Sequence, residues 1–155
     1  MFAFWDLLPE QHRYAADTLW SNDDFASALP RLAEHINGAP SANSLMLAVM
    51  PPAPPEGAQL WDMAFSMVGR LFLACYAVWR DPARDAENVA WLRETVKDVE
   101  PLGIGHYVAE SDLLAAPTRA VGSFAQPQWQ RLEQLRAQLD PDGGFHTYLG
   151  LPAGS

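Results

Sequence analysis

Proline and glycine fall in four clusters that divide the chain into short stretches. The clusters lie at 38–40, 51–57, 101–103 and 117–127. Proline cannot donate a backbone hydrogen bond, and glycine loses the most conformational freedom on folding, so regular elements are expected to end at these places. The spacing of apolar residues between the clusters then indicates which element each stretch forms.

The stretch before the first cluster has the apolar spacing of a helix. Its apolar residues recur at helical intervals, as Phe25, Leu29, Leu32 and Ile36. This pattern predicts an amphipathic helix over 22–36, with Ser21 and Asp24 as a capping-box-like start. Pro30 is expected to kink or split that helix, because proline interrupts the backbone hydrogen-bond ladder.

The remaining stretches predict four strands and two more helices. The predicted strands cover 14–20, 45–50, 70–79 and 106–110. Apolar residues at helical spacing after Pro82 predict a helix over 83–99, and a final helix is predicted over 128–139. The order βαββαβ with an appended helix predicts an α+β fold with a ferredoxin-like antiparallel sheet and both helices on one face.

The charge balance excludes two classes of partner. The chain carries 10 Lys and Arg against 19 Asp and Glu, a net charge of −9, and has no basic run. We therefore expect no binding to nucleic acid or to an anionic membrane surface. No apolar stretch reaches the roughly 20 residues that span a bilayer, and the first residues lack a basic signal region, so a cytoplasmic location is expected.

The length and the cysteine content limit the architecture. A chain of 155 residues predicts one domain over 1–155, with a proline-rich loop at 51–58 and a flexible tail at 146–155. The single cysteine, Cys75, excludes an internal disulfide and a cysteine-based zinc site. The four histidines have no metal-ligand spacing, so no metal is expected.

The final helix carries the most specific motif in the chain. An apolar stripe is predicted to be buried, formed by Trp129, Leu132, Leu135 and Leu139. Pro141 ends the helix, because it disfavours helical geometry at the preceding residue. Over 131–145 the landmarks are an Arg-Leu pair, a Leu-Arg pair, an Asp-Pro pair and a final Phe, in the sequence RLEQLRAQLDPDGGF.

These landmarks resemble the C-terminal end of the berberine bridge enzyme family of FAD-linked oxidases. That family closes on N-x-x-RL-x-x-LK-x-x-YDP-x-N-x-F. The segment 105–112 (GHYVAESD) resembles its G-x-Y-V-N-x-x-D motif, and 64–79 followed by Trp91 resembles its aromatic strand and next helix. The resemblance extends over about 14–145.

The resemblance implies a substrate domain without its cofactor domain. In the family an N-terminal domain binds FAD, and the C-terminal domain supplies a sheet over the flavin ring. At 155 residues the chain is too short for both domains. FAD is therefore expected only if a separate flavin domain is present, and none is expected to be bound by this chain alone.

The resemblance also indicates candidate site residues. Phe72, Tyr76 and Tyr107 are candidates for substrate binding, and Tyr107, Glu110 and Cys75 are candidates for catalysis. Cys75 stands where family members commonly have a Glu or Gln base before a Tyr, and Glu110 stands where they have a second Tyr. From the residues alone, Cys75 is either a buried apolar residue or a reactive thiol, and Tyr107 belongs either to a sheet face or to a pocket.

Two carboxylates near the end of the fourth predicted strand allow two interpretations. Glu110 and Asp112 alternate with one residue between them, so a strand would point both to the same side. They form an acid–base pair, or they belong to a solvated strand end or a helix cap.

Two functions follow from these observations. The first is the substrate-binding part of an FAD-dependent oxidoreductase, not catalytic by itself. The alternative is a non-catalytic dimeric α+β module that binds a small hydrophobic molecule or a protein. Both functions predict an exposed apolar sheet face, and therefore a homodimer or a flavin-domain partner.

Overall fold

The fold is a four-stranded antiparallel sheet with two long helices on one face. A computed structural model describes residues 8–52, 64 and 66–145. The strands are β1 (Arg13–Ser21), β2 (Leu45–Val49), β3 (Leu71–Trp79) and β4 (Gly103–Gly105). The helices are α1 (Phe25–Asn37), α2 (Asp85–Val99), α3 (Arg119–Gly122) and α4 (Gln126–Leu139). The strand order β2-β3-β1-β4 and the C-terminal helix confirm the α+β fold predicted from the sequence.

Some sequence predictions concern residues outside this description. The tail at 146–155 lies wholly outside the described residues, and so does 53–58 of the proline-rich loop. The prediction of one domain over 1–155 therefore stays a prediction.

β3 lies at the centre of the packing. It pairs antiparallel with β1 along nine residues, from Arg13 opposite Trp79 to Ser21 opposite Leu71, and with β2 on its other side. Successive strand residues point to opposite faces. Its helix-facing side chains, with those of β1, form the main core against α1 and α2: Leu19, Leu71, Leu73, Cys75, Ala77 and Trp79.

The opposite face of the sheet is not exposed at its centre. Ala74, Tyr76 and Val78 expose only 1%, 6% and 0% of their surface. They pack with partly buried neighbours on β1 and β2. The predicted exposed apolar face is therefore wrong for the middle of β3.

α1 begins later than predicted and is not split by its proline. Asp24 precedes the helix, and its carboxylate accepts hydrogen bonds from the Ser27 backbone N–H and hydroxyl, both at 2.9 Å. This cap satisfies backbone donors at the first turn, which fixes the start at Phe25 rather than 22. The helix continues past Pro30 to Asn37, so the proline is accommodated within it.

The fourth strand forms at different residues from those predicted. Gly103–Gly105 pairs with the end of β1, whereas Val108–Glu110 forms a short 3₁₀ turn. The predicted strand 106–110 is therefore wrong. The physical reason lies in the contacts with Thr18. The His106 ring contacts the Thr18 carbonyl oxygen, and the Tyr107 backbone N–H donates to the Thr18 hydroxyl, so the regular backbone pairing ends before these residues.

α4 has the predicted end but not the predicted burial. It runs from Gln126, with Pro127 in its first turn, and stops at Leu139 before Asp140. Leu135 exposes 42% and Leu139 exposes 77% of its surface, and every residue of α4 keeps part of its surface exposed. The predicted buried stripe is therefore wrong, although Trp129 does contact Phe124, with 5.3 Å between ring centroids.

The close approach of Gly69 to β1 predicts a stability effect. A Cβ at this buried position would overlap the Ser21 carbonyl group, which is backbone and cannot move away cheaply. We expect Gly69→Ala to lower the free energy of unfolding by about 1–3 kcal/mol, as overpacking does. Chemical denaturation of the purified chain measures this.

Gly38→Ala is the matched control. The nearest atom to a Cβ there is 3.6 Å away, an ordinary contact. We expect a change within about 1 kcal/mol, because Gly→Ala at a compatible position mainly reduces the entropy of the unfolded chain. Equal losses in the two variants would contradict the packing described for Gly69.

Candidate functional site

Four of the five candidate site residues come together on the face of the sheet opposite the helices. Phe72 and Tyr76 lie four positions apart on β3. Both therefore point to this face, because every second side chain of a strand lies on the same side. Tyr107 and Glu110 reach it from the segment that follows β4. We call Phe72, Tyr76, Tyr107 and Glu110 the aromatic cluster.

A hydrogen bond and ring contacts join the members of the cluster. The Tyr76 hydroxyl donates to Glu110 Oε2 at 2.8 Å. The Phe72 and Tyr107 rings meet edge to face with 6.3 Å between centroids. Trp20, on β1, lies 4.6 Å from Phe72 between ring centroids. The arrangement combines apolar ring surface with two phenols and one carboxylate, and small-molecule sites commonly combine such groups.

The electrostatics of Tyr76 keep its phenol protonated. Burial raises its pKa well above the ordinary value of a tyrosine, and the hydrogen bond and negative charge of Glu110 raise that pKa further. The protonated phenol can donate to the carboxylate of Glu110 across the ordinary pH range. The pair is therefore an oriented donor and acceptor.

Tyr107 is fixed through its backbone. Its N–H donates to Thr18 Oγ1 at 3.0 Å, and its carbonyl accepts from the Ser111 hydroxyl at 3.0 Å. The Thr18 side chain is buried. These bonds orient the short 3₁₀ turn that carries Glu110 toward Tyr76.

Cys75 does not face the aromatic cluster. It lies between Ala74 and Tyr76 on β3, so its side chain points to the helix side and packs in the core. Burial raises the pKa of its thiol to about 12. A buried thiol with a raised pKa is a poor nucleophile, which favours the apolar role over the reactive one.

Glu110 and Asp112 do not act on the same partner. Glu110 accepts from Tyr76, whereas Asp112 pairs with Arg93 at 2.8 Å and accepts from the Ala115 N–H at 3.1 Å. The intervening backbone is a 3₁₀ turn followed by extended residues, not a strand. Asp112 is therefore an ion-paired turn cap. It is neither a solvated strand end nor a helix cap, and the predicted acid–base pair with Glu110 does not form.

An open cleft of about 820 Å³ lies beside the cluster, between the start of β1, the start of α2 and residues 108–114. Ala109 and Ser111 line this cleft, whereas the side chain of Glu110 between them points to Tyr76. The segment 108–111 therefore borders both the cleft and the aromatic cluster.

Sequence reasoning missed three residues that shape the site. Trp20 lies opposite Phe72 in the pairing of β1 with β3, so strand alternation could have predicted that it faces the site. Thr18 and His106 carry no motif, and their contact joins residues 88 positions apart. Such pairing depends on the sheet register, which the sequence pattern does not specify.

The described part of the chain holds neither a group of metal-ligating side chains nor a membrane-spanning helix. Within 8–52, 64 and 66–145, no three His, Cys, Asp or Glu side chains are grouped as metal ligands. No helix within the same residues is long and apolar enough to cross a membrane.

The burial of Cys75 predicts slow thiol chemistry. In the folded chain, we expect its reaction with a disulfide reagent such as DTNB to be at least about 100-fold slower than in denaturant, because the thiolate is suppressed and the sulfur is covered. Absorbance of the released thiolate measures the rate. Rapid labelling of the folded chain would show that Cys75 is accessible and would restore it as a catalytic candidate.

The Tyr76–Glu110 bond predicts an unusual tyrosine titration. The Tyr76 phenol should ionise above the ordinary tyrosine value near 10, and Glu110→Gln should bring its pKa down, because the negative acceptor is removed. A pKa raised in the folded state means that stability falls as the pH rises above the unfolded value. Ultraviolet titration measures the step, and Tyr76→Phe identifies it. An unchanged titration in Glu110→Gln would contradict the bond.

The chain is similar in sequence to FAD-linked oxidoreductases. No family model matches the chain. Two fungal proteins are each 30% identical to it over 105 residues, which is 66% of the chain: the FAD-linked oxidoreductases ptmO of Penicillium ochrochloron and penO of Penicillium crustosum. A third, nodO of Hypoxylon pulicicidum, is 22% identical over 80 residues. The chain spans 22% of the length of the first two relatives.

A solved structure shares the fold. CrmK, a flavoenzyme of the shunt product recycling mechanism in caerulomycin biosynthesis, matches 88% of this chain and 32% of its own length with a TM-score of 0.71. The sequences are 17% identical, so this likeness concerns the fold alone. The similarity in sequence and the shared fold agree with the resemblance of the motifs. The chain is therefore related to one segment of the FAD-linked oxidoreductases.

Proposed function

We propose that the chain is the substrate-binding part of an FAD-dependent oxidoreductase and works with an FAD-binding domain. The observation that carries the proposal is the Tyr76–Glu110 hydrogen bond at 2.8 Å within a wall of aromatic rings. The fungal relatives named as FAD-linked support it. Sites that combine apolar ring surface with a few oriented polar groups are typical of small-molecule binding.

The cluster fits the ring part of a flavin rather than the whole cofactor. Phe72 and Tyr107 offer ring edges and faces to a planar molecule. The charged member of the cluster is Glu110, whose negative carboxylate would repel a pyrophosphate. The nucleotide part of FAD would therefore be held by the other domain.

FAD, when bound, accepts electrons and hydrogen from the substrate. The residues of this chain would bind and orient the substrate on one side of it. Phe72 and Tyr107 would provide apolar contact, and Tyr76 would hold the Glu110 carboxylate in one orientation. Glu110 would then accept a proton from a hydroxyl or amine of the substrate, as a positioned general base does.

The turn that follows α4 supplies a surface for the flavin-binding partner. Leu139 and Phe145 expose 77% and 74% of their surface. Asp140 shapes the turn between them, because its carboxylate accepts from the backbone N–H groups of Gly144 and Phe145. Large apolar side chains held outward on an ordered turn are typical of an interface. In the fungal relatives most of the chain lies outside the matched part, so a larger neighbour is available there.

Purification from the source cells tests the proposal. A tagged chain expressed at its native level should carry a flavin absorbance spectrum and sediment as a complex heavier than a dimer of the chain. A homodimer without flavin would contradict the proposal and favour the alternative, a dimeric module that binds a hydrophobic ligand.

Two substitutions test the role of the cluster within that complex. We expect Tyr76→Phe and Glu110→Gln to lower substrate oxidation by about 10²-fold or more, the usual contribution of a positioned acid–base group, while the flavin content stays the same. Glu94→Gln, on the exposed side of α2, is the matched control and should leave the rate unchanged. Equal rates in all variants would show that the cluster is not the substrate site.

A further inference from the structure

A ring of polar side chains closes the edge of the sheet where β4 ends. It consists of Asp17, Thr18, Glu100, His106 and Arg119, which come from four separate parts of the chain. The Asp17 carboxylate pairs with Arg119, and Arg119 pairs with Glu100 at 2.9 Å. Glu100 faces His106, and His106 faces Thr18, the residue next to Asp17.

Both ring nitrogens of His106 face oxygen acceptors. Nδ1 lies 2.7 Å from the Thr18 carbonyl oxygen, and Nε2 lies 3.2 Å from Glu100 Oε1. A neutral imidazole carries only one N–H, so it can donate to only one of these oxygens. The imidazolium carries two and satisfies both. His106 exposes 7% and Thr18 exposes 1% of its surface, so water is a poor substitute for their contact. The Glu100 side chain is 43% exposed, so water can replace it as the partner of Nε2.

The Thr18 contact is therefore the one that fixes the His106 ring. Behind it, the buried Asp17 carboxylate pairs with Arg119. Glu100 joins Arg119 and His106 from the solvent side. The Thr18 carbonyl oxygen can only accept, so Nδ1 must carry the N–H, and a neutral imidazole can supply it.

The ring holds the segment that carries the aromatic cluster. The backbone N–H of His106 donates to the Gly122 carbonyl oxygen at 3.1 Å, and the backbone N–H of Tyr107 donates to Thr18 Oγ1 at 3.0 Å. Regular pairing between β1 and β4 ends at Gly105. These bonds and the contact of the His106 ring with Thr18 therefore replace the sheet hydrogen bonds that would otherwise position Tyr107.

We propose that His106 is a positioning residue that clamps the Tyr107–Glu110 segment onto β1 through an Nδ1–H bond to the Thr18 carbonyl oxygen. Without a donor at this position that carbonyl oxygen would be left buried and unpaired, so the clamp would loosen. Arg119 supports the ring from behind, because it pairs with both Asp17 and Glu100. The proposal rests on the proposed function only in that the clamped residues form its substrate wall.

Nuclear magnetic resonance of the full chain tests the clamp directly. We expect Nδ1 of His106 to carry an N–H that is coupled to the Thr18 carbonyl carbon across the hydrogen bond. Removal of this donor in His106→Phe should accelerate amide exchange at Tyr107 by about 10-fold or more. The amide of Val78, which donates to Ser44 Oγ on the other side of the sheet, should not follow it. An Nδ1 without an N–H, or parallel acceleration at both amides, would overturn the proposal.

Variants separate the clamp from ordinary packing. His106→Phe keeps an aromatic ring but no donor, so the Tyr107 amide should lose its protection. His106→Gln keeps a donor and should retain partial protection. His35→Gln is the matched control, because His35 pairs with Asp98 on the surface, and it should leave Tyr107 exchange unchanged. Equal Tyr107 exchange in His106→Phe and His35→Gln would show that the proposal is wrong.

A second pair of variants serves if His106→Phe does not fold. Thr18→Val removes the hydroxyl that binds Tyr107 with little change of shape, and Thr18→Ser keeps it. Faster Tyr107 exchange in the Val variant alone supports the clamp, and equal exchange in both contradicts it. These measurements use no flavin. The clamp can therefore be confirmed even if no flavin complex is found, and it can be contradicted even if the flavin complex is found.

Discussion

The burial of β3 on both of its faces is the constraint on which the other features depend. A strand alternates its side chains, so Leu71–Trp79 presents one set to α1 and α2 and another set to the opposite side. The first set builds the hydrophobic core. The second set includes Phe72 and Tyr76, which are thereby held rigidly by a strand that cannot slip. A slip of one residue would exchange the two faces and place Cys75 where Tyr76 now stands.

The early end of β4 determines how the site is completed. Backbone pairing stops at Gly105, and the chain continues as a short turn rather than as a strand. Tyr107 and Glu110 can therefore bend over the helix-free face, which a continued edge strand would not allow. Contacts to Thr18 replace the missing ladder, and they add His106 to the support of the site.

The sequence predicted the elements whose signal is local. The bounds of β2 and β3 and the end of α4 follow from apolar runs and from the position of Pro141. The cap at Asp24 follows from its side chain, although the exact start of α1 depends on which donor the carboxylate reaches. The resemblance to FAD-linked oxidases rested on motif landmarks at 131–145 and was confirmed by relatives that match 66% of the chain.

The errors concern contacts between residues distant in sequence. The segment 106–110 has the composition of a strand. It binds Thr18 on β1 through the His106 ring and the Thr18 hydroxyl, however, and not through regular backbone pairing. Cys75 shares its neighbourhood in sequence with Tyr76, yet the alternation of the strand separates the two residues. The α4 stripe has helical spacing, but spacing alone does not specify what covers it.

We propose that the face bearing Tyr76, Tyr107 and Glu110 is the one turned toward the flavin. A crystal structure of the native flavin complex tests this most directly. We expect the substrate space to lie between the flavin ring and the Tyr76–Glu110 pair, with α1 and α2 on the far side of the sheet. A flavin placed against the helices, or away from the sheet, would contradict the account.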